Sequence, residues 1–413
     1  MPDQPAEEQG HLTQLRLLLE ELCCELCRFE HATRDHRHAQ RVRIDREYYL
    51  GIPGAFADIR VAPVESAPYL IEVKFGYSAD KLVRHLKRKF SAATPALANA
   101  TKVVLVVDAA GHENWPEVEA AIIASLAPGL TLEVWSEDRL IQLLRDRFLI
   151  EISAITPDNL IEVRQAIDRA QGYFAFGGES QAAYEHEPLN AELLWHFGFW
   201  KLRELREARQ LRPRDMLPPG LYRNVAVLIA DLCSFSSYVR DTADGRIVRE
   251  SLTSFYSKAR YQIINSGGML YQFVGDEVIG FFGLPDREAD AVQTAFETAQ
   301  ALISIGNSVS HHWQRQIDRV QNSGGVHVGL AIGDLQIVSL RPFGRTHVGA
   351  IGDCINVAAR LMSTAGPGEV AASNSFLQSL DEETQGQFQE VEPVEARNVG
   401  RIKAWKWASG QGV

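Results

Sequence analysis

Two short, continuously apolar runs constrain the fold most: KVVLVVD at 102–108 and VAVLIAD at 225–231. Neither alternates polar with apolar. A run of this length with no polar face reads as a strand buried on both sides, and such strands occur in sheets that carry helices. Around the first run, strands predicted at 57–61, 69–75 and 130–135 alternate with helices at 78–90, 115–126 and 137–148. An amphipathic helix at 11–30 precedes them, with Leu12, Leu15, Leu19, Leu22 and Leu26 spaced by three or four. The stretch Tyr48–Gly54 reads as a turn-rich lead-in. This alternation predicts an α/β domain over residues 1–155.

Residues 156–220 read as a linker containing Gly177-Gly178-Glu179-Ser180, followed by a helix at 193–211 placed to carry a signal, make a dimer contact or simply pack. The second apolar run opens an α+β domain over 221–413. Its predicted elements are a strand at 225–229, a helix at 246–265, a hairpin of 269–273 and 277–282 around Val274-Gly275-Asp276, and a helix at 287–308. A second hairpin is expected from 326–332 and 335–340 around Gly333-Asp334, then a helix starting near Asn356 and a strand at 402–407.

Composition excludes some classes. With 46% hydrophobic and 23% charged residues the chain is neither disordered nor fibrous. A net charge of −11 excludes a bulk nucleic-acid coat. Five cysteines are too few for a disulfide scaffold. Cys23, Cys24 and Cys27 lie in one leucine-rich segment with no second ligand pair at finger spacing, so buried thiols are expected rather than zinc. His31, His36 and His38 read as surface histidines in a polar connector. No apolar run approaches the roughly 18 residues of a membrane span, and Met1–Pro5 has no signal-peptide pattern. The expected compartment is the cytoplasm.

The chemistry concentrates in the second domain. Asp231 ends a buried strand and Asp276 sits at a hairpin tip. If neighbouring strands bring them together, two carboxylates make a divalent-cation site suited to Mg²⁺, which keeps positions for phosphate and water. Leu232–Ser237 (LCSFSS) offers backbone N–H groups at a helix start, a place for phosphates. Asn356 and Arg360 are four apart on a predicted helix and share a face. An amide and a guanidinium so placed can orient a ribose and stabilise phosphoryl charge.

At these residues the chain resembles the class III adenylate and guanylate cyclases, whose catalytic domain has a ferredoxin-like core. The matching stretches are VAVLIADLCSFSSYV (225–239), GGMLYQFVGDEVIGFFG (267–283), VHVGLAIG (326–333), VGAIGDCINVAARL (348–361) and NVGRIKAW (398–405). The resemblance implies that Asp231, Asp276 and the Leu232 carbonyl hold two divalent cations, Mg²⁺ or Mn²⁺. It implies that Phe235 and Ser236 line the phosphate loop, that Asn356 orients the ribose, and that Arg360 is the transition-state arginine. Arg397 falls near a triphosphate-binding lysine of the family. It further implies a homodimer with active sites shared between two chains, and cyclisation of a nucleoside triphosphate with loss of pyrophosphate.

Base recognition departs from the family pattern. Gln272 stands where adenylate cyclases carry Lys and guanylate cyclases Glu, and Gly349 stands at the partner position. A Gln amide suits the N3–H and O4 of uracil, or N1 and N6 of adenine. Strand alternation points the neighbouring Tyr271 the other way. These departures, with an added N-terminal module, resemble the pyrimidine cyclases of Pycsar antiphage defence, whose product signals to a separate effector. UTP is the favoured substrate, with ATP, CTP and GTP as alternatives, and a nucleotide-holding pseudocyclase is a further one.

In the N-terminal domain, ADIRV…YLIEVKF resembles the PD-(D/E)xK restriction-endonuclease-like fold. The resemblance implies a site of Asp58, Glu72 and Lys74, either vestigial in a sensing or docking domain or an active nuclease. Lys81, Arg84, Lys87, Arg88 and Lys89 follow and offer contacts to nucleic-acid phosphates.

Overall fold

The computed structural model describes residues 6–31, 42–148, 150–156, 189–209, 216–285, 290–317, 323–339, 348–396 and 400–410. The chain divides into two compact units, Met1–Tyr173 and Phe174–Val413.

The first unit is a five-stranded sheet in the order β1-β2-β3-β4-β5. Its strands are β1 (Val42–Ile52), β2 (Ala55–Pro63), β3 (Tyr69–Val73), β4 (Lys102–Val106) and β5 (Thr131–Trp135). The first three pair antiparallel, and β3-β4-β5 are parallel. Helices α1 (Ala6–His31), α2 (Ala79–Phe90), α3 (Trp115–Ser125) and α4 (Glu137–Phe148) accompany it. Leu82, Leu86 and Phe90 form the apolar buried stripe of α2, and Lys89 is buried with them, while Lys81, Arg84, Lys87 and Arg88 stay outside. The parallel strands fall where the apolar runs predicted them.

Residues 42–52, expected to be a connector and turn-rich lead-in, are instead a long strand. Its Asp45, Arg46 and Glu47 are buried, so charged residues sit where an apolar alternation would have announced a strand. His31 also departs from expectation: it ends α1, half-buried, 3.1 Å from the Tyr69 hydroxyl. Cys23, Cys24 and Cys27 are buried free thiols on α1. His36, His38 and Gly177–Ser180 lie outside the described residues.

The second unit begins with α5 (Leu189–Arg209), kinked at Gly198. Then come β6 (Gly220–Leu232), α6 (Phe235–Asp241), α7 (Gly245–Asn265), β7 (Met269–Val274), β8 (Glu277–Phe282) and α8 (Ala291–Ile317). After them follow β9 (Val326–Ser339), β10 (Val348–Ile351), α9 (Asp353–Met362), β11 (Glu369–Ser373), β12 (Gln389–Ala396) and β13 (Gly400–Ala408). The sheet runs β12-β13-β11-β9-β6-β8-β7, with β10 paired to β9. Its β9-β6-β8-β7 portion, with α7 and α8 as crossovers, has the 4-1-3-2 order of a ferredoxin-like core. One sheet face packs on α7 and α8 through Phe255, Ala259, Ile263, Ala295, Ala299 and Leu302. The other packs on α5 and α9 through Phe197, Leu202, Cys354, Ala358 and Met362.

The hairpin expected around Gly333-Asp334 does not form. β9 continues through both residues, antiparallel to β6, and the strand that doubles back on it is β10, beyond residues 340–347. The glycines there serve helix approach instead of a turn. A Cβ on Gly329 would lie 2.0 Å from the Ala358 carbonyl oxygen, and one on Gly333 2.9 Å from Cys354 Cβ. Bare backbone at both positions lets α9 lie directly on β9.

Candidate active site

The β6 register sets the site. Asp231 leaves the last turn of pleat on β6, paired with Glu277 of β8 on one side and His327 of β9 on the other. Val225, Val227 and Ile229 face the α5/α9 side, so alternation puts Asp231 on that side too. Asp276 arrives from the β7–β8 turn. Gly275 takes φ 63° there, a left-handed conformation that side chains resist. The Tyr256 hydroxyl on α7 donates to the Gly275 carbonyl and so pins the turn, while its ring stacks on Phe273 at 4.4 Å.

The register that pairs Asp231 with Glu277 brings the adjacent Asp276 close to it. Burial, then interaction with the Asp231 carboxyl, pushes the Asp276 carboxyl up to about 7. Burial likewise raises Glu277, with Asp231 adding to it. His327 Nε2 lies 3.3 Å from Asp231 Oδ2 and Nδ1 lies 3.0 Å from the Ala365 carbonyl. Burial opposes charge on this imidazole, but the Asp231 and Ala365 hydrogen bonds outweigh it and raise its pKa. Carboxyl groups crowded at one place are a donor set that a divalent cation would satisfy, so these residues fit the metal the sequence implied. Leu232 is buried beside them at the end of β6, paired with Val326.

The loop after Leu232 turns through Ser234 in the left-handed region, φ 60°. Its hydroxyl bonds that of Ser323. Phe235 and Ser236 form the first turn of α6. The Phe235 ring meets Trp313 edge-on at 6.1 Å, and Ser236 is exposed.

Asn356 and Arg360 lie one turn apart on α9, and both are exposed. Among the described residues neither is bonded to Asp231 or Asp276. Arg397 lies outside the described residues.

Gln272 and Gly349 occupy β7 and β10. β7 carries a bulge: Leu270 pairs with Gly280 and Gln272 with Ile279, leaving Tyr271 as the extra residue. The bulge overturns the expected alternation. Gln272 opposes Ile279, a residue of the α5/α9 face, and Tyr271 packs on that same face. The Tyr271 ring stacks on Phe281 at 5.0 Å, and its hydroxyl accepts from the Ala350 N–H at 3.2 Å, next to Gly349. Gln272 is exposed and Gly349 buried. Strand pattern alone carried no signal for this bulge. His327 was also missed, because only the cross-strand register puts it beside Asp231.

In the N-terminal unit, Asp58, Glu72 and Lys74 do come together. Lys74 bonds Asp58 Oδ2 and lies 2.7 Å from Glu72 Oε2. Asp58 Oδ2 also accepts the Val73 N–H at 2.7 Å. The sequence placed Lys89 among the residues offered to nucleic-acid phosphates, but it is buried and joins this cluster. Lys81, Arg84, Lys87 and Arg88 are exposed, as expected.

Residues 217–408 match the family model of the adenylate and guanylate cyclase catalytic domain. A uridylate cyclase of Rhodovulum sp. (strain MB263) is 26% identical over 137 residues, which cover 32% of this chain and 55% of that relative. The chain thus spans about half the length of that curated relative. Among solved structures, the guanylate cyclase domain of RhGC from Catenaria anguillulae, in complex with GTP, is 19% identical. It covers 45% of this chain and 96% of its own, with a TM-score of 0.36. The adenylyl cyclase CyaB from P. aeruginosa is 16% identical, covering 46% of this chain and 95% of its own, with a TM-score of 0.38. Among the described residues no helix is long and apolar enough to cross a membrane.

Proposed function

We propose, on the premise that residues 217–408 are a class III nucleotide cyclase catalytic domain, that the protein converts a nucleoside triphosphate to its 3′,5′-cyclic monophosphate and pyrophosphate, with UTP preferred. The observation that carries this reading is the register that pairs Asp231 with Glu277 and so brings Asp276, at the β7–β8 turn, to the end of β6. Asp231, Asp276 and the Leu232 carbonyl would hold two divalent cations, Mg²⁺ or Mn²⁺. When bound, these supply positive charge to the attacking 3′-oxygen and the triphosphate. The chain's own groups position the rest. The first turn of α6, at Phe235 and Ser236, offers amides to phosphate. Asn356 orients the ribose, and Arg360 offsets charge on the departing pyrophosphate, a charge role that Arg397 would share. Exposure of Asn356 and Arg360 on α9 supports a homodimer in which these two residues serve the acids of the second copy.

The base is read by Gln272, whose amide both donates to O4 and accepts from N3–H of uracil. Tyr271 beside the side-chain-less Gly349 makes a bulky wall, which favours a single-ring base. The likeness to a uridylate cyclase agrees with this assignment. The cyclic product would then be a signal for a separate effector, as in Pycsar defence, made in the cytoplasm. The N-terminal unit would be a restriction-endonuclease-like sensing or docking module, with Asp58, Glu72 and Lys74 as a vestigial site.

Purified protein incubated with each of ATP, GTP, CTP and UTP and Mn²⁺ tests the proposal. Cyclic UMP should form fastest, and Asp231→Ala should abolish it. A purine product made faster than cyclic UMP would overturn the base assignment, and no cyclic product from any triphosphate would overturn the activity.

A further inference from the structure

Whether the N-terminal cluster takes a metal depends on what already stands between its carboxylates. Lys89 reaches in from α2, its side chain 8% exposed. Its ammonium lies 2.9 and 2.8 Å from the two Glu72 oxygens and 3.8 Å from Asp58 Oδ1. Lys74 takes Asp58 Oδ2 and approaches Glu72 Oε2 at 2.7 Å. Each oxygen of both acids thus faces an ammonium. Two carboxylates and two ammonium groups make a neutral, buried quartet.

A divalent cation needs carboxylate lone pairs at about 2.0–2.1 Å for Mg²⁺. Here Glu72 Oε1, Glu72 Oε2 and Asp58 Oδ2 are each held by an ammonium and Asp58 Oδ1 faces Lys89 at 3.8 Å, so an ion between Asp58 and Glu72 would stand against two like charges in a buried site, where repulsion is strong. Glu20 and Glu47 have carboxylate oxygens within 4.8 Å of each other and of Asp58, but Glu20 is ion-paired with the buried Arg46. The restriction-endonuclease-like resemblance implies a metal at Asp58 and Glu72, and the residues present do not fit one.

We propose that Lys89 is an internal cation standing in the position a divalent ion would need, so that the N-terminal unit holds no metal at Asp58 and Glu72 and cuts no phosphodiester there. This inference rests on the N-terminal unit alone and is independent of the cyclase reading. It also separates Lys89 from its neighbours. Lys81, Arg84, Lys87 and Arg88 remain exposed on α2, while Lys89 is turned into the acids.

The test counts bound Mn²⁺ by electron paramagnetic resonance on the full chain carrying Asp231→Asn and Asp276→Asn, which removes the C-terminal carboxylates. With Lys89 present, tight Mn²⁺ binding is expected to be absent. Lys89→Met should gain about one Mn²⁺ per chain, and adding Glu72→Gln should remove it again. Lys89→Gln keeps a donor to Glu72 without the charge and gives the same gain should the methionine variant fail to fold. Mn²⁺ bound in the Lys89 chain and lost with Glu72→Gln overturns the proposal. So does no gain in folded Lys89→Met or Lys89→Gln, or DNA cleavage by the Lys89 chain that Lys74→Ala abolishes.

Discussion

Replacing Gly329 by alanine probes how α9 is held against the sheet, and with it the placement of Asn356 and Arg360. A Cβ at Gly329 would lie 2.0 Å from the Ala358 carbonyl oxygen and 2.6 Å from the Met362 amide nitrogen, where ordinary contact begins at 3.4 Å. The obstacle is helix backbone, so no side chain can rotate out of the way. The first of these gaps must open by 3.4 − 2.0 = 1.4 Å, and α9 must lift off β9 as a body. Overpacking of a core costs about 1–3 kcal/mol, and a backbone obstacle belongs at the upper end. For a domain of this size each kcal/mol moves Tm by roughly 2–4 °C, so Tm should fall by about 6–12 °C. Arg360 and Asn356 travel with the helix, and a displacement of about 1 Å in a positioning group costs on the order of 100-fold in rate. Thermal unfolding followed by circular dichroism, beside cyclic-product formation, measures both. Gly220→Ala is the control, because nothing lies within 4 Å of its Cβ. A Gly329→Ala protein within about 2 °C of wild type, with unchanged turnover, would refute the account of why β9 carries glycine.

Tyr256→Phe keeps the ring on Phe273 but removes the donor to the Gly275 carbonyl. It should cost about 1 kcal/mol of stability and roughly tenfold in kcat, measured by unfolding and turnover. Tyr271→Ala opens space beside Gly349 and should raise kcat/KM for purine triphosphates relative to UTP by about tenfold, read from the four-triphosphate comparison. Asp276, pushed up to about 7, holds its proton below that pH in the metal-free protein. A divalent ion must displace that proton, so Mn²⁺ affinity should rise as pH passes upward through about 7. Calorimetry at pH 6 and pH 8 checks this, and equal affinity at both would contradict it.

Much of the C-terminal site was legible because its signals are local. An apolar run ending in Asp231, a glycine turn carrying Asp276, and an Asn and Arg four apart on one helix each announce themselves within a few residues. The 3.6-residue and two-residue periods placed most of the helices and strands on the same grounds. What escaped depended on partners distant in sequence. β1 hid because Asp45, Arg46 and Glu47 are buried against α1 and β2, where apolar residues are expected. Gly333 imitated a turn because sequence cannot tell a glycine needed for φ from one needed for a helix to approach. The β7 bulge, the pairing of His327 with Asp231, and the inward turn of Lys89 exist only in register and packing.

The central claim is that acids of one chain work with the amide and guanidinium of another, and mixing two inactive variants tests it most directly. Asp276→Ala and Arg360→Ala chains, purified separately and reassociated, should each be inactive alone and recover part of wild-type cyclic-nucleotide formation together. Verified mixed dimers that stay as inactive as either parent would contradict the shared site.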